Sequence, residues 1–238
     1  MQLNDDVHVL GLSMVRDGQR RTLNLSLILD PAAGPTLVDT GLPGQVDEIA
    51  SAMADAGVGL GDLKRIVLTH QDVDHVGSLP DLVQATGARV LAHEAEVPFI
   101  DGTERPRYDR PDFLQAFPQM PGFLERMKAM RVDEALADGA RLDVAGGVLV
   151  VATPGHTVGH MCLYLERSRT VIAGDALTAD DGRLQGPNAS ATADMPAASR
   201  SVRRLAELDV YAIVCYHGGV VAGDAAQQLR RVADELAR

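Results

Sequence analysis

The sequence predicts a protein of the α/β class. Short apolar runs rich in β-branched residues alternate with segments of helical spacing, a pattern typical of sheets covered by helices. The chain has 238 residues, of which 46% are hydrophobic and 23% charged. It is long enough to bury a sizeable core and too apolar to be disordered throughout. We expect residues 1–238 to form a single domain, of one body or two closely packed halves.

Five strands and two helices are predicted in the first part of the chain. The first predicted helix ends at Gly57 and the second at Gly87. Pro80 is tolerated because it falls in the first turn of the second helix. The fourth strand has no polar interruption, so it is expected to be buried. The predicted elements are strands at Val7–Leu12, Leu23–Leu29, Thr36–Val38, Ile66–Thr69 and Arg89–Ala92, and helices at Val46–Ala56 and Leu79–Thr86.

The segment at about residues 98–135 is predicted to be a helical insertion. It is too apolar for a free linker, so its short helices should pack over a pocket or against a second copy of the chain in a homodimer. It contains Pro98, Pro106, Pro111, Pro118 and Pro121 together with Phe99, Phe113, Phe117 and Phe123.

Regular elements resume after the insertion. Four short apolar runs predict strands, and the last segment has the spacing of an amphipathic helix. They are Val148–Ala152, Met161–Leu165, Thr170–Ala173 and Val210–Val214, followed by the helix Asp224–Ala237.

Charge and hydropathy limit the partners. The net charge of −11 repels phosphate backbones, so we expect a small-molecule substrate and no nucleic acid. The N-terminal stretch is acidic where a signal peptide would be basic, and no apolar run approaches the length of a membrane span. The expectation is therefore a cytoplasmic protein that does not bind membranes.

The strongest functional signal is His70-Gln71-Asp72-Val73-Asp74-His75. Four potential ligands lie within six residues, directly after a predicted buried strand. Such a cluster of carboxylates is costly without a cation, and imidazole with carboxylate suits zinc, iron or manganese. The motif therefore predicts a metal site.

Three later strands are followed by a glycine-bearing turn that offers one further ligand. These ligands are His156, Asp175 and His217. Strand ends at one edge of a sheet can converge, and glycine lets the backbone come close to an ion. We expect these side chains to join the His70–His75 cluster.

This ordered set resembles the metallo-β-lactamase superfamily. The family has a His-x-His-x-Asp-His motif, then a His in a Gly-His-Thr context, a Gly-Asp and a late His-Gly. The resemblance implies a four-layer αββα sandwich with metal ions at one edge of two sheets. It also implies that Asp39, in Val38-Asp39-Thr40-Gly41, supports the site without coordinating. The matching positions are His70, Asp74, His75, His156, Asp175 and His217.

One position departs from the family pattern, because Asp72 stands where the family has its second His. A carboxylate there could coordinate and shift preference from zinc towards iron or manganese. Alternatively, Asp72 swings away and the first metal position is weak or empty. Coordination is the prediction, because the rest of the ligand set is intact.

The resemblance implies a centre of two divalent ions, zinc first, with iron or manganese as alternatives. A metal-bridged hydroxide would attack a small ester, lactone or thioester, and Asp74 would orient the hydroxide and carry its proton. The implied ligands are His70, Asp72 and His156 for the first ion, Asp74, His75 and His217 for the second, and Asp175 for both.

Other functions of the same fold stay open. They are a mononuclear iron dioxygenase acting on a persulfide, a β-lactamase-type amide hydrolase and a non-catalytic binding protein. A dedicated glyoxalase II is disfavoured, because its basic substrate-binding features are not identifiable in the sequence. His160 is predicted to support the site without coordinating. Arg105, Arg107 and Arg110 are predicted to solvate the surface of the insertion, with contact to an anionic substrate as the alternative.

Overall fold

The computed structural model, which describes residues 1–16, 18–116 and 120–237, is built around two six-stranded sheets. The first sheet has the order β1-β2-β3-β4-β5-β6, with antiparallel pairing from β1 to β3 and parallel pairing from β3 to β6. Its strands are β1 (Val7–Arg16), β2 (Gln19–Ile28), β3 (Thr36–Val38), β4 (Arg65–Leu68), β5 (Arg89–His93) and β6 (Glu134–Leu136).

The second sheet is formed by the later part of the chain, and a separate two-stranded hairpin accompanies it. Its strands are β7 (Arg141–Leu142), β8 (Val148–Ala152), β9 (Met161–Leu165), β10 (Thr170–Ile172), β13 (Ala212–Cys215) and β14 (Gly219–Ala222), and the hairpin is β11 (Thr178–Asp180) with β12 (Arg183–Gln185). The spatial order is β14-β13-β10-β9-β8-β7.

Eight helices are described in these parts of the chain. They are α1 (Val46–Asp55), α2 (Val73–Val76), α3 (Leu79–Thr86), α4 (Val97–Ile100), α5 (Pro111–Ala116), α6 (Met120–Met127), α7 (Met195–Leu205) and α8 (Ala225–Leu236). A 3₁₀ turn lies at Leu60–Asp62. Within the described ranges, none of the helices has both the length and the hydropathy that a bilayer span requires.

Three hydrophobic clusters define the layers. One, with Val67 and Leu163, lies between the facing surfaces of the two sheets. A second packs α1 and α3 against the outer face of the first sheet, and a third packs α7 and α8 against the outer face of the second. The order is therefore helix, sheet, sheet, helix, which confirms the predicted four-layer αββα sandwich.

The insertion packs differently from the simplest expectation. Met120, Phe123 and Met127 are buried in the cluster beneath the first sheet, so α6 contributes to the core. The residues predicted to be helical up to about 135 include the start of β6, which pairs with β5. Phe117 and Pro118 lie outside the described residues, and the side chain of Phe113 is not described.

The topology brings one end of each functional strand to the same edge. β3 and β4 are parallel, and so are β10 and β13. β8 and β10 are both antiparallel to β9, so they also run in the same direction. The backbone N–H of Met161 donates to the Thr69 carbonyl at 3.1 Å, and an isolated bridge joins Leu23 to His217. These contacts join the two sheets at the edge where the ligand-bearing loops emerge.

Candidate metal centre

The ligand-bearing loops each leave the C-terminal end of a strand. β4 is followed by His70 and then by α2, which carries Asp74 and His75. The loops after β8, β10 and β13 supply the remaining ligands. All seven predicted residues lie in the centre: His70, Asp72, Asp74, His75, His156, Asp175 and His217.

The first group of potential ligands consists of His70, His156 and Asp175. One ligand atom of each lies within 4.8 Å of the others. The side chains of His70 and His156 are buried, and that of Asp175 is 12% exposed. Nε2 of His156 is 3.5 Å from Oδ2 of Asp175. Two imidazoles and one carboxylate at this spacing can share a single ion.

The second group consists of Asp74, His75 and His217, again within 4.8 Å of one another. Nε2 of His217 is 3.3 Å from Oδ2 of Asp74 and 3.5 Å from Oδ2 of Asp175. The His75 ring lies 4.0 Å from the His70 ring, so the two groups are adjacent. Asp175 lies between them, where the predicted bridging ligand would have to be.

Asp39 and Thr69 orient the two histidines of the motif. Asp39 Oδ2 is 2.9 Å from Nδ1 of His75 and 2.9 Å from the Thr69 hydroxyl. Because a carboxylate only accepts, the hydroxyl donates to Asp39 and is left to accept from Nδ1 of His70, 3.0 Å away. In the neutral imidazoles the lone pairs are therefore on Nε2, which faces the centre.

His160 is held as a neutral supporting residue. The backbone N–H of Asp175 donates to its Nε2 at 3.0 Å, so Nδ1 carries the proton and donates to the Thr153 hydroxyl at 2.8 Å. Burial, together with the neighbouring His70 and His156, keeps the pKa of His160 well below its usual value. Both ring nitrogens are used, which leaves none for a metal ion.

The centre has the properties expected of a cation site. Nε2 of His70, Nε2 of His75 and Oδ1 of Asp175 are buried and form no hydrogen bond of normal geometry, although Nε2 of His75 lies 3.3 Å from Oδ1 of Asp175. Buried polar atoms without a partner are rare and costly. They are the atoms that the two groups direct at a common point, and divalent ions bind such His and Asp sets. The donor set therefore fits metal ions.

The protonation states indicate what an incoming ion has to displace. Burial by itself would lower the pKa of His217, but Asp175 and Asp74 outweigh it and raise that pKa to about 9. Burial would likewise raise the pKa of Asp175, but His75 and His217 hold it well below the usual range. In the metal-free centre, protons on imidazole thus balance the carboxylates, and a metal ion would replace them.

Asp72 lies in the centre but is already paired. Its Oδ2 is 3.5 Å from Nε2 of His70 and 3.1 Å from Nε2 of His156, which is within reach of the first ligand group. Both of its oxygens also accept hydrogen bonds from the Arg107 guanidinium. Arg107 was predicted to solvate the surface or to contact a substrate, and this interior contact was not anticipated. Whether Asp72 binds metal remains a prediction.

Glu96 is a functional residue that the sequence reasoning missed. It is fully buried, and its two oxygens accept from the backbone N–H groups of Gln71 at 2.9 Å and Gly159 at 2.8 Å. One carboxylate thereby joins the loop that carries the His70 motif to the loop that carries His156. In the sequence, Glu96 is simply an acidic residue directly before α4, and nothing in that pattern indicates that it joins the two loops.

A cavity of about 1120 Å³ opens over the centre, and its floor includes Asp72, Asp74 and His217. Its walls are formed by the β1–β2 hairpin, with Met14, and by the β11–β12 hairpin and the segment after it. They are not the Phe- and Met-rich surface of the insertion. The sequence predicted that the insertion packs over a pocket or against a second copy of the chain, whereas its buried Met120, Phe123 and Met127 side chains belong to the core cluster.

The comparison with known families agrees with the fold. Residues 21–217 match the family model described as the metallo-β-lactamase superfamily. The chain belongs to the metallo-β-lactamase superfamily. The matched span includes every predicted ligand from His70 to His217.

Three similar proteins illustrate the relationship. YflN of Bacillus subtilis (strain 168), a probable metallo-hydrolase, is 29% identical over 202 residues, which cover 79% of this chain and 76% of YflN. A hydroxyacylglutathione hydrolase of Fuscovulum blasticum is 30% identical over 193 residues, covering 79% of this chain and 59% of the relative. This chain thus spans less than two thirds of that relative's length. The solved structure of the metallo-β-lactamase family protein TTHA1429 from Thermus thermophilus has a TM-score of 0.70 at 28% identity, covering 98% of this chain and 80% of that one.

Proposed function

We propose that this protein is a metal-dependent hydrolase of a small ester, lactone or thioester, with a centre for two divalent ions. One observation carries the proposal: seven His and Asp side chains meet at one sheet edge, leave buried imidazole nitrogens without a hydrogen bond, and open into a cavity. Similarity to a probable metallo-hydrolase and to a hydroxyacylglutathione hydrolase, whose named substrate is a thioester, supports hydrolysis.

The two ligand groups would hold one ion each, with Asp175 between them. Zinc is the expected ion, and iron or manganese are the alternatives. When bound, such ions supply Lewis acidity and lower the pKa of water.

The chain's own residues supply positioning and proton transfer. Asp74 lines the cavity, so its carboxylate can accept a proton from the attacking water and pass it to the leaving group. The Tyr216 hydroxyl donates to the backbone carbonyl of Asp74, and the Tyr216 ring packs 3.8 Å from the His75 ring. This packing holds α2 in place beside the cavity.

The cavity walls favour a polar acyl substrate. Arg20, Arg21 and Asn24 of β2 line it, together with Asn188. Two of these side chains are cationic, and Asp180 and the carboxylates of the centre line the same cavity. A carboxylate on the substrate can pair with Arg20 or Arg21, so we expect such substrates to be preferred over neutral ones.

The proposal is tested with metal-loaded protein and a panel of esters, lactones, thioesters and β-lactams. We expect turnover of at least one of the first three classes and its loss in His70→Ala. His8→Ala is the matched control, because His8 lies on β1 and does not line the cavity. No turnover across the panel would refute the proposal. Oxygen consumption on a persulfide with one iron per chain would replace it with the dioxygenase.

A further inference from the structure

The Arg107 guanidinium is bound at the centre through every donor it has. Nε donates to Asp72 Oδ1 at 2.5 Å, and one terminal nitrogen contacts Asp72 Oδ2 and, at 2.7 Å, Nε2 of His156. The other terminal nitrogen donates to the backbone carbonyls of His156 at 3.1 Å and Ala191 at 2.7 Å. A guanidinium has five N–H donors and no acceptor, so all five are used.

The surrounding chain fixes this arrangement. The backbone N–H of Arg107 donates to the side chain of buried Gln71 at 3.1 Å. The next residue, Tyr108, is buried, and its ring lies 6.5 Å from that of Phe123. The arginine side chain itself is only 33% exposed. The insertion therefore presents Arg107 to the centre from a packed position.

Arg107 uses the atoms that an ion in the first ligand group would need. A guanidinium can only donate, so Nε2 of His156 accepts from it and its lone pair is occupied. Both oxygens of Asp72 are occupied by the same cation. An ion that binds His156 and Asp72 through these atoms must first displace Arg107.

The second ligand group is not occupied in this way. Because the five donors of Arg107 are used on Asp72, His156 and Ala191, none is left for Asp74, His75 or His217. Arg107 also forms an ion pair with Asp72, whereas Asp74 lies 3.3 Å from Nε2 of His217.

We propose that Arg107 is an internal cation that competes with the first metal ion for Asp72 and His156, so that the two metal positions fill in sequence. The Asp74–His75–His217 group fills first and tightly. The His70–His156 group fills second and weakly, when the guanidinium moves aside. This inference rests on the proposed metal centre and is independent of the substrate.

The test is equilibrium dialysis against buffered Zn²⁺ at graded free concentrations, with elemental analysis of bound zinc per chain. Wild-type protein should bind one ion and then a second at least about tenfold more weakly, since each charge-assisted hydrogen bond displaced costs on the order of one decade. In Arg107→Ala the second step should tighten at least about tenfold. The first step should stay unchanged.

Two further variants separate occupancy from charge. Arg107→Lys keeps the charge but has no planar fork, so its second step should be intermediate. Arg105→Ala is the matched control, because Arg105 lies in the same segment, is 87% exposed and should leave both steps unchanged. A second step that is unaltered or weaker in Arg107→Ala overturns the inference while leaving the proposed function intact. Failure of all proteins to bind zinc overturns both.

A measurement on wild-type protein keeps the inference testable if Arg107→Ala is unstable. In a ¹⁵N spectrum, the arginine Nε–H signal that disappears in Arg107→Lys should move only as the second equivalent of Zn²⁺ is added. Movement with the first equivalent, or none with either, contradicts sequential filling.

Discussion

Replacing Asp39 by Asn tests how the centre is held in register. Asp39 is 1% exposed, and its oxygens accept from the Thr69 backbone N–H at 2.8 Å, the Thr69 hydroxyl and His75. Its φ is 64°, a left-handed conformation that Asn also tolerates, so the substitution adds no backbone strain. An amide has one acceptor oxygen, so its NH₂ group must face a donor. His75 then loses the carboxylate that fixes its orientation. His70 is affected as well, because the Thr69 hydroxyl that contacts it is itself held by Asp39.

The magnitude follows from the number of bonds lost. Loss of a carboxylate that orients a metal-binding His lowers metal affinity about 10- to 100-fold, or ~1.4–2.8 kcal/mol. The buried donor left unpaired lowers the free energy of unfolding by ~1–3 kcal/mol. Competition with a chromophoric chelator measures the affinity, and urea unfolding of metal-free protein measures the stability.

A matched control separates the two effects. Asp30→Asn also removes a carboxylate that accepts three backbone N–H bonds, from Ala32, Ala33 and Ala145, but at the opposite edge of the sheets. It should lower stability and leave zinc affinity unchanged. If Asp39→Asn binds zinc as tightly as wild type, the orienting role of Asp39 is refuted, whatever the stability change.

Three further predictions concern the support of the centre. A Cβ on Gly218 would lie 1.7 Å from the Ala179 carbonyl oxygen, whereas one on Gly219 meets nothing within 4 Å. Since both residues have positive φ, Gly218→Ala should cost more unfolding free energy than Gly219→Ala by at least ~1–3 kcal/mol in urea titrations, and equal losses would contradict the clash. Glu96→Gln, which leaves one backbone donor facing an amide, should lower both the melting temperature and zinc affinity, and a change in neither would remove its role in joining the loops. The pKa of His217 is raised to about 9, and Asp39 and Asp175 outweigh burial to hold the pKa of His75 well above its usual value. Protons on both ligands must leave when metal binds, so zinc affinity should rise with pH up to at least pH 9, by up to about a hundredfold per pH unit. A flat profile would contradict this.

Local pattern was sufficient for the regular elements. Three strands and one helix begin and end where the sequence predicts. They are the strands Thr36–Val38, Val148–Ala152 and Met161–Leu165 and the helix Leu79–Thr86. The strands are continuous apolar runs, and the helix ends at Gly87. Both are local signals in the sequence.

Elements whose apolar face is narrow or absent were missed. β2 begins at Gln19 rather than near Leu23, because its first residues are exposed and polar in a hairpin arm. α7 was not predicted, since its buried face consists largely of small residues among serines and arginines. Asp194, whose side chain accepts from the Ala197 N–H at 2.9 Å, followed by Pro196 near the helix start, was the signal that could have found it.

The sequence by itself indicated the candidate ligands. Four of them stand in the six-residue motif His70–His75 that follows a strand, and His156, Asp175 and His217 each stand beside a glycine, so the pattern is local. Only the tertiary structure decided what surrounds those ligands. Arg107 lies 35 residues from Asp72, 49 from His156 and 84 from Ala191, and Glu96 lies 63 from Gly159. Contacts over such separations depend on how the sheets and the insertion pack against each other. The residues that form these contacts show no periodic pattern in the sequence from which they could be predicted.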